Sequence, residues 1–200
     1  MKRDFKETLK HRRSYYSLGS DMLVSRAEIE EMVSFALRNF PSAFNSQSAR
    51  VVLLLGKSHR LLWQMVKDVL ESQLPPDVFA RTEKKINDSF AAGCGTLLFF
   101  EDRVVVGELQ SKYPLYEEKF PMWSQQSSGM LQLALWCMLE DVGFGASLQH
   151  YNPLIDKDVK REWNIPHSWD LVAQMPFGYP LTLPADKSVG TVSDRMRVFD

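Results

Sequence analysis

Apolar positions after Ser25 recur at the spacing of one helix face: Ile29, Met32, Val33, Ala36, Leu37 and Phe40. Ser25 followed by Glu28 is a capping-box signature at the start of that run, and Pro41 closes it. Immediately beyond, the period changes. Residues 50–55 end in the unbroken run Val51-Val52-Leu53-Leu54-Leu55, which predicts a buried strand. Ser58 then stands where a cap would, ahead of a stripe of Leu61, Leu62, Met65, Val66, Val69 and Leu70 that Pro75-Pro76 breaks.

A helix over residues 77–91 leads into Gly93-Cys94-Gly95 and the run Thr96–Phe100, which reads as a central strand buried on both faces. Val104–Val106 carry the apolar character past an acidic break at Glu101-Asp102, and residues 111–122, with Pro114 and Pro121, read as loop. From Trp123 to Val142 runs the longest helical pattern, apolar on nearly all sides between Met130 and Leu139. Such a helix must be buried, either centrally or against a partner subunit. Residues 143–148 approach a short strand, 156–163 a small helix and Leu171–Met175 a last strand. At the other end, residues 3–11 predict a short helix with Phe5 and Leu9 on one face, while the tail Gly178–Asp200 has little core pattern.

Helices around a modest sheet make the class α+β or α/β, and no repeat, low-complexity stretch or linker divides residues 1–200, so one domain is expected. Composition changes this picture only in what it excludes. A formal net charge of -1 creates no general attraction to nucleic acid or to an anionic membrane, so a bound anion must be held by a local cluster of cations. The N-terminal MKRDFKETLKHRR lacks a signal-peptide core, and no run approaches the ~18 apolar residues of a membrane span. Cys94 and Cys137 read as reduced, buried thiols of a cytoplasmic protein, and the scattered His11, His59, His150 and His167 suggest no metal.

Three polar clusters carry the candidate chemistry. Arg12-Arg13-Ser14 can clamp a phosphate, although the same residues also suit a solvated basic face. The cations Lys187, Arg195 and Arg197 lie in a tail able to fold back over the same anion. The run Asn45-Ser46-Gln47-Ser48 leads straight into the strand at Val51; Ser42 and Asn45 can simply turn the chain there, but Ser147–Asn152 forms a second cluster of the same kind. Both flank short apolar strands, where ligands commonly sit. A flat heteroaromatic ligand with a phosphate, such as a flavin, would satisfy these groups together. Gly143-Phe144-Gly145 lacks the third glycine and the preceding strand of a dinucleotide fingerprint, and neither a P-loop nor a GxSxG motif occurs. Cys94 has no basic neighbour in sequence to activate it.

The stretches RRSYYSLG, PSAFNSQSARVV, FAAGCGTLLFFED, FPMWSQQSSGM, GASLQHYNPLIDKDVKREWNIP and AQMPFGYP together resemble the FMN-dependent nitroreductase family, over residues 5–199. The resemblance is strongest to its fatty-acid-repression-mutant-type, or copper-inducible, group. It implies a central, mostly antiparallel sheet flanked by helices, in an interlocked homodimer with two FMN sites built from both subunits. Residues 123–142 would supply much of the interface. It also implies ping-pong transfer of electrons from NADH or NADPH to nitroaromatic or quinone acceptors, in a role such as stress defence. Because the group's names record lipid-signalling and metal-stress phenotypes, a flavin-binding regulatory protein with incidental reductase activity is the alternative.

By the same resemblance Arg12 and Ser14, with Arg13 beside them, meet the phosphate and ribityl chain, and Lys187 approaches the phosphate. Pro41, Ser42, Ala43 and Asn45, with Gln47 as neighbour, reach the flavin of the other subunit, as does Ser127. Asn87 faces the ring, and Leu148, Gln149 and His150 run beside it. The chain departs from the family in three places. Tyr16 replaces a common Arg or Lys; the tail reads Lys187-Ser188-Val189 where Lys-x-Arg is common, leaving Arg195 as a substitute cation; and His150 replaces a Glu, with an orienting or proton-holding role.

Overall fold

In the computed structural model, residues 4–200 are described; Arg3, expected at the start of the first helix, lies outside them. The two longest apolar runs pair with each other. Strand β2 (Ala49–Leu55) lies antiparallel to β3 (Gly95–Asp102), with Val52 opposite Leu98. On the other side of β3 lies β5 (Trp169–Pro180), also antiparallel, with Leu97 opposite Met175. Two short strands, β1 (Leu18–Gly19) and β4 (Gly145–Ala146), attach to β5, and the order is β1-β5-β3-β2 with β4 off that path. All these pairings are antiparallel, which makes the fold α+β.

Every residue of β3 is buried, as its unbroken apolar run requires. Its side chains alternate between two cores. Leu97 and Phe99 join a cluster with Ile29 and Ala36 of α2 (Arg26–Asn39) and Leu131 and Leu135 of α6 (Phe120–Asp141). Leu98 and Phe100 join the opposite cluster, with Leu62, Trp63 and Val66 of α3 (Gly56–Glu71) and Val159 of α7 (Asp156–Glu162). A register shift between Phe99 and Phe100 sets Ala173 and Leu171 opposite them, so these two β5 residues serve different cores despite their even spacing.

The helix boundaries show which local signals won. Ser25 caps α2 as a full capping box, its Oγ accepting from Glu28 N (3.3 Å) while the Glu28 carboxylate accepts from Ser25 N (2.9 Å). Ser58 does not cap α3. That helix starts at Gly56 directly from the strand, because Gly56 takes φ +54°, a conformation that turns the chain without a linker. The acidic break is also a cap: Asp102 Oδ1 accepts from Val104 N (3.2 Å) and opens α5 (Arg103–Lys112), so Val104–Val106 are helical.

The loop expected over 111–122 shrinks accordingly. Pro114–Lys119 form a 3-10 turn, and α6 already begins at Phe120, with Pro121 in the first turn where a missing N–H costs nothing. The last strand extends to Pro180, well beyond Met175 and into the expected tail. The remaining helices are α1 (Phe5–His11) and α4 (Pro76–Lys85), the latter continued by a π turn over Ile86–Phe90. Within the chain α6 is only partly covered: Leu131 is fully buried, but Met130 and Leu133 stay 43% and 41% exposed. Phe5 and Leu9 of α1 are likewise open to solvent.

Candidate active site

Chain segments far apart in sequence meet beside Arg12. Ser14 bridges in parallel to Ala146 of β4, and Tyr15 N donates to Ala146 O (3.0 Å), which fixes the Arg12-Arg13-Ser14 segment against the sheet. The tail folds across the same edge, with Leu181 N donating to Ser17 O (2.9 Å) and Arg13 Nη2 to Ala185 O (2.5 Å). Between them lies a cavity of about 570 Å³ lined by Arg12, Arg13, Ser14, Tyr16, Ser17, Thr182, Pro184, Ala185 and Lys187. Three of these residues are cationic and none is a carboxylate. The Arg12 guanidinium lies over the Trp136 ring, 4.4 Å from its centre, and its buried Nε has no hydrogen-bond partner. A fixed cation with an unused donor, among hydroxyl groups, suits a phosphate ester.

Lys85 adds a cation that sequence reasoning missed. Its Nζ is 5.8 Å from the Tyr16 ring centre and 5.7 Å from that of Phe90. Tyr16 is therefore flanked by a cation supplied from α4. Ser17, Thr182, Pro184 and Ala185 were also missed, because nothing in their types separates them from ordinary turn residues. Trp136 was hidden inside the helix read only as apolar.

A second constellation is built by the loop before β2. Phe44, Asn45 and Gln47 all have left-handed backbone (φ +54°, +52° and +50°), which costs of order 1 kcal/mol for such residues and must be held by the surroundings. Asn45 N donates to Ser42 O (3.0 Å), Gln47 N to Ser42 Oγ (3.1 Å) and Arg50 Nη1 to Gln47 O (2.7 Å). So Ser42 does turn the chain. At the far end Ser48 is tied to β3, its carbonyl accepting from Asp102 N (2.9 Å) and its hydroxyl donating to Glu101 Oε2 (2.6 Å). Phe44 packs among Tyr113, Phe120 and Trp123 with ring centres 4.8, 5.3 and 6.1 Å away. Ala43, Phe44, Trp123, Gln126, Ser127 and Met130 line an open cavity of about 350 Å³. Ser127 itself is buried, with its hydroxyl donating to Trp123 O (2.9 Å).

The third cluster is pinned to β5 by Gln174. Gln149 and Gln174 exchange backbone hydrogen bonds (2.7 and 2.9 Å), and Tyr151 N donates to Gln174 Oε1 (2.7 Å). The Gln149 carboxamide donates to Ser147 Oγ (3.0 Å); Leu148 is half-buried and His150 exposed. None of these three lines the cationic cavity. Asn87 is exposed, its Oδ1 accepting from Lys67 Nζ (2.9 Å), and Pro41 is exposed at the start of its loop. Arg195 donates to Gly190 O (3.2 Å) within its own tail and does not line the cavity either. Within one chain, then, Arg12, Arg13, Ser14, Tyr16 and Lys187 share one cavity, and Ala43 and Ser127 share another.

Buried titratable groups divide by use. Burial pushes the Cys94 thiol up to about 12, which removes it as a nucleophile. His59 is pushed down to about 4 by burial, between Thr96 Oγ1 (2.8 Å) and Ala91 O (3.2 Å). Glu101 is pushed up to about 7 by burial, with the Ser48 hydroxyl and Arg50 acting against the rise.

The sequence model described as the nitroreductase family matches residues 9–179. The chain belongs to that family, whose members are oxidoreductases. It is 33% identical over 184 residues to the putative nitroreductase HBN1 of Saccharomyces cerevisiae, covering 91% of each chain. It is 29% identical over 187 residues to the nitroreductase FRM2 of the same yeast, covering 92% of each. The nitroreductase CinD of Lactococcus lactis, solved with nicotinic acid, superposes with a TM-score of 0.91 at 38% identity, covering 98% of this chain and 100% of that one. The nitroreductase fold expected from the motifs is thus the fold of the molecule. Among the described residues no helix is long and apolar enough to cross a membrane.

Proposed function

We propose that this nitroreductase-family chain binds FMN and transfers electrons from NADH or NADPH to nitroaromatic or quinone acceptors, in ping-pong order and as a homodimer. The observation that carries the reading is the cavity in which Arg12, Arg13 and Lys187 converge with no opposing carboxylate, while Arg12 Nε is left without a partner. Arg12, Arg13 and Lys187 would hold the phosphate, with Ser14 and Ser17 along the ribityl chain. Tyr16 and Lys85 stand beside them, where a cation favours negative charge on the pyrimidine edge. When bound, FMN supplies the two-electron chemistry between nicotinamide and acceptor.

Other observations support the remaining parts. The Ser42–Gln47 loop, Ser127 and the aromatic residues around Phe44 form a surface separate from the cationic cavity, as expected if the second half of each site comes from the partner. Open apolar positions on α6 and a mostly apolar groove of about 370 Å³ between α2 and α6, lined by Val24, Met32, Phe35, Met138 and Val142 with Glu28 and Glu31, support a second copy as the partner. The CinD structures with chloramphenicol and with 4-nitrophenol support a nitroaromatic acceptor. A nitroreductase of the same fold from Desulfitobacterium hafniense contains bound FMN.

The test is anaerobic. Flavin absorbance of the holoprotein should bleach on adding NADH or NADPH and return on adding a nitroarene or quinone. Bleaching far below ordinary enzyme rates of ~1 per second with either donor would contradict the reductase reading and favour the regulatory one.

A further inference from the structure

Glu101 is 3% exposed at the end of the central strand, and it is hydrogen-bonded on one side only. Ser48 Oγ donates to Oε2 (2.6 Å), whereas the buried Oε1 has no partner. A carboxylate half-satisfied in this way is costly to keep charged, and a neutral acid loses the strongest part of its one bond. Arg50 of β2 is the neighbouring cation, but it is already engaged by Asp102 (3.1 Å) and by the carbonyls of Gln47 and Ala49 (2.7 and 3.0 Å). Arg50 and Asp102, the latter on its own strand, act on Glu101 electrostatically, and Asp170 lies opposite on β5, where it pairs with Arg103 and Lys160. The small cavity beside Ser48 is lined from α5 and α6 by Val106, Leu109, Phe120 and Ser124.

We propose that Glu101 is a positioning residue for the 42–48 loop, and that this loop's hold on the flavin follows the charge of the buried carboxyl. The inference rests on the reading of that loop as flavin-facing. Ser48 is the point at which a turn with three left-handed residues is anchored to the rigid centre of the sheet. With Glu101 ionised, the Ser48 bond is charge-assisted and about twice as strong as its neutral counterpart. A proton taken up from solvent leaves a weaker anchor and lets the turn relax toward ordinary backbone angles. Because burial brings the carboxyl to about 7, both states are populated near neutral pH. No residue of the loop titrates, so the switch lies one strand away from the surface it controls.

The experiment measures two quantities at pH 6 and pH 8 in wild type, Glu101→Gln and Ser48→Ala. Hydrogen exchange of amides 42–48, corrected for the intrinsic pH dependence, reports the loop without any flavin. The FMN dissociation constant, from flavin fluorescence, reports the site. In wild type, protection of these amides should fall at least fivefold from pH 8 to pH 6 and FMN should bind correspondingly more weakly. Glu101→Gln should stay at the pH 6 level throughout, and Ser48→Ala, which keeps the carboxyl but not the link, should be equally flat. Titration of the FMN phosphate is common to all three and cancels. Unchanged protection in wild type, or the full wild-type response in Ser48→Ala, would overturn the proposal even if Glu101→Gln failed to fold. Protection that switches while FMN affinity changes identically in all three proteins would overturn the link to the flavin. Wild type that binds no FMN at either pH instead refutes the flavin reading itself, independently of the exchange result.

Discussion

The guanidinium of Arg12 is stacked on the Trp136 ring at 4.4 Å, so a cation lining the proposed phosphate site rests on the helix that forms much of the core. Residues 124 positions apart in sequence are thereby made one unit, and the stack is worth about 0.5–2 kcal/mol depending on how far it is desolvated.

Arg12→Ala should weaken FMN binding at least tenfold, read as the dissociation constant by flavin fluorescence. Arg26→Ala is the control, since that guanidinium pairs with Glu30 on an exposed helix face (2.6 Å). Equal affinity in the two variants would remove Arg12 from the site.

Trp136→Leu should keep the helix but release the Arg12 side chain, lowering FMN affinity by a few-fold. The loss should be much smaller when made in an Arg12→Ala background. That non-additivity in a double-mutant cycle is the measurement, and additive losses would show that the stack does not position the cation.

Two buried groups give stability opposite dependences on pH. Glu101, raised from 4.5 to about 7, contributes stability that is fully present below 4.5 and lost as pH rises through about 7. His59, lowered from 6.5 to about 4, contributes stability present above 6.5 and lost as pH falls through about 4. Each is worth roughly 3 kcal/mol at most, from the linkage of a pKa shift to stability. Urea unfolding across pH 5–8 should therefore show Glu101→Gln gaining on wild type as pH rises. A constant difference between the two would contradict this assignment.

Gly145→Ala should be strongly destabilising and should disturb the Arg12 segment. A Cβ at this position would come within 2.8 Å of the Tyr15 ring, and Tyr15 holds the chain next to Ser14 against Ala146. Thermal unfolding should show a drop of several degrees, together with loss of FMN affinity. Gly107→Ala, on open helix surface, should show neither.

Strands β2 and β3 were legible because they are unbroken apolar runs, and α2 because its cap and stripe agree; the two-residue strand β1 and the far half of β5 carry no such run. Legibility failed where one residue type serves two purposes. Gly56 opens a helix for which Ser58 is by residue type the better cap, and Asp102 closes a strand and caps α5 at once. Pro121 looked like a helix breaker yet sits in the first turn, where proline is tolerated. At the site, Arg12, Arg13, Ser14 and Lys187 could be singled out by charge and by family resemblance, and one cavity unites them. Lys85 and Trp136 could not, because each is ordinary in its own helix and acquires a role only through packing. Glu101 breaks an apolar run in the sequence, and its burial is set only by the fold.

On the proposed function, the Arg12, Arg13 and Lys187 cavity holds FMN between two copies of this chain. The most direct measurement is size-exclusion chromatography of the purified protein after reconstitution with FMN, monitored at the flavin and protein wavelengths together. A yellow species should elute as a dimer, with one FMN per chain released intact on denaturation. A colourless dimer that retains no flavin, or flavin carried by a monomer, would contradict it.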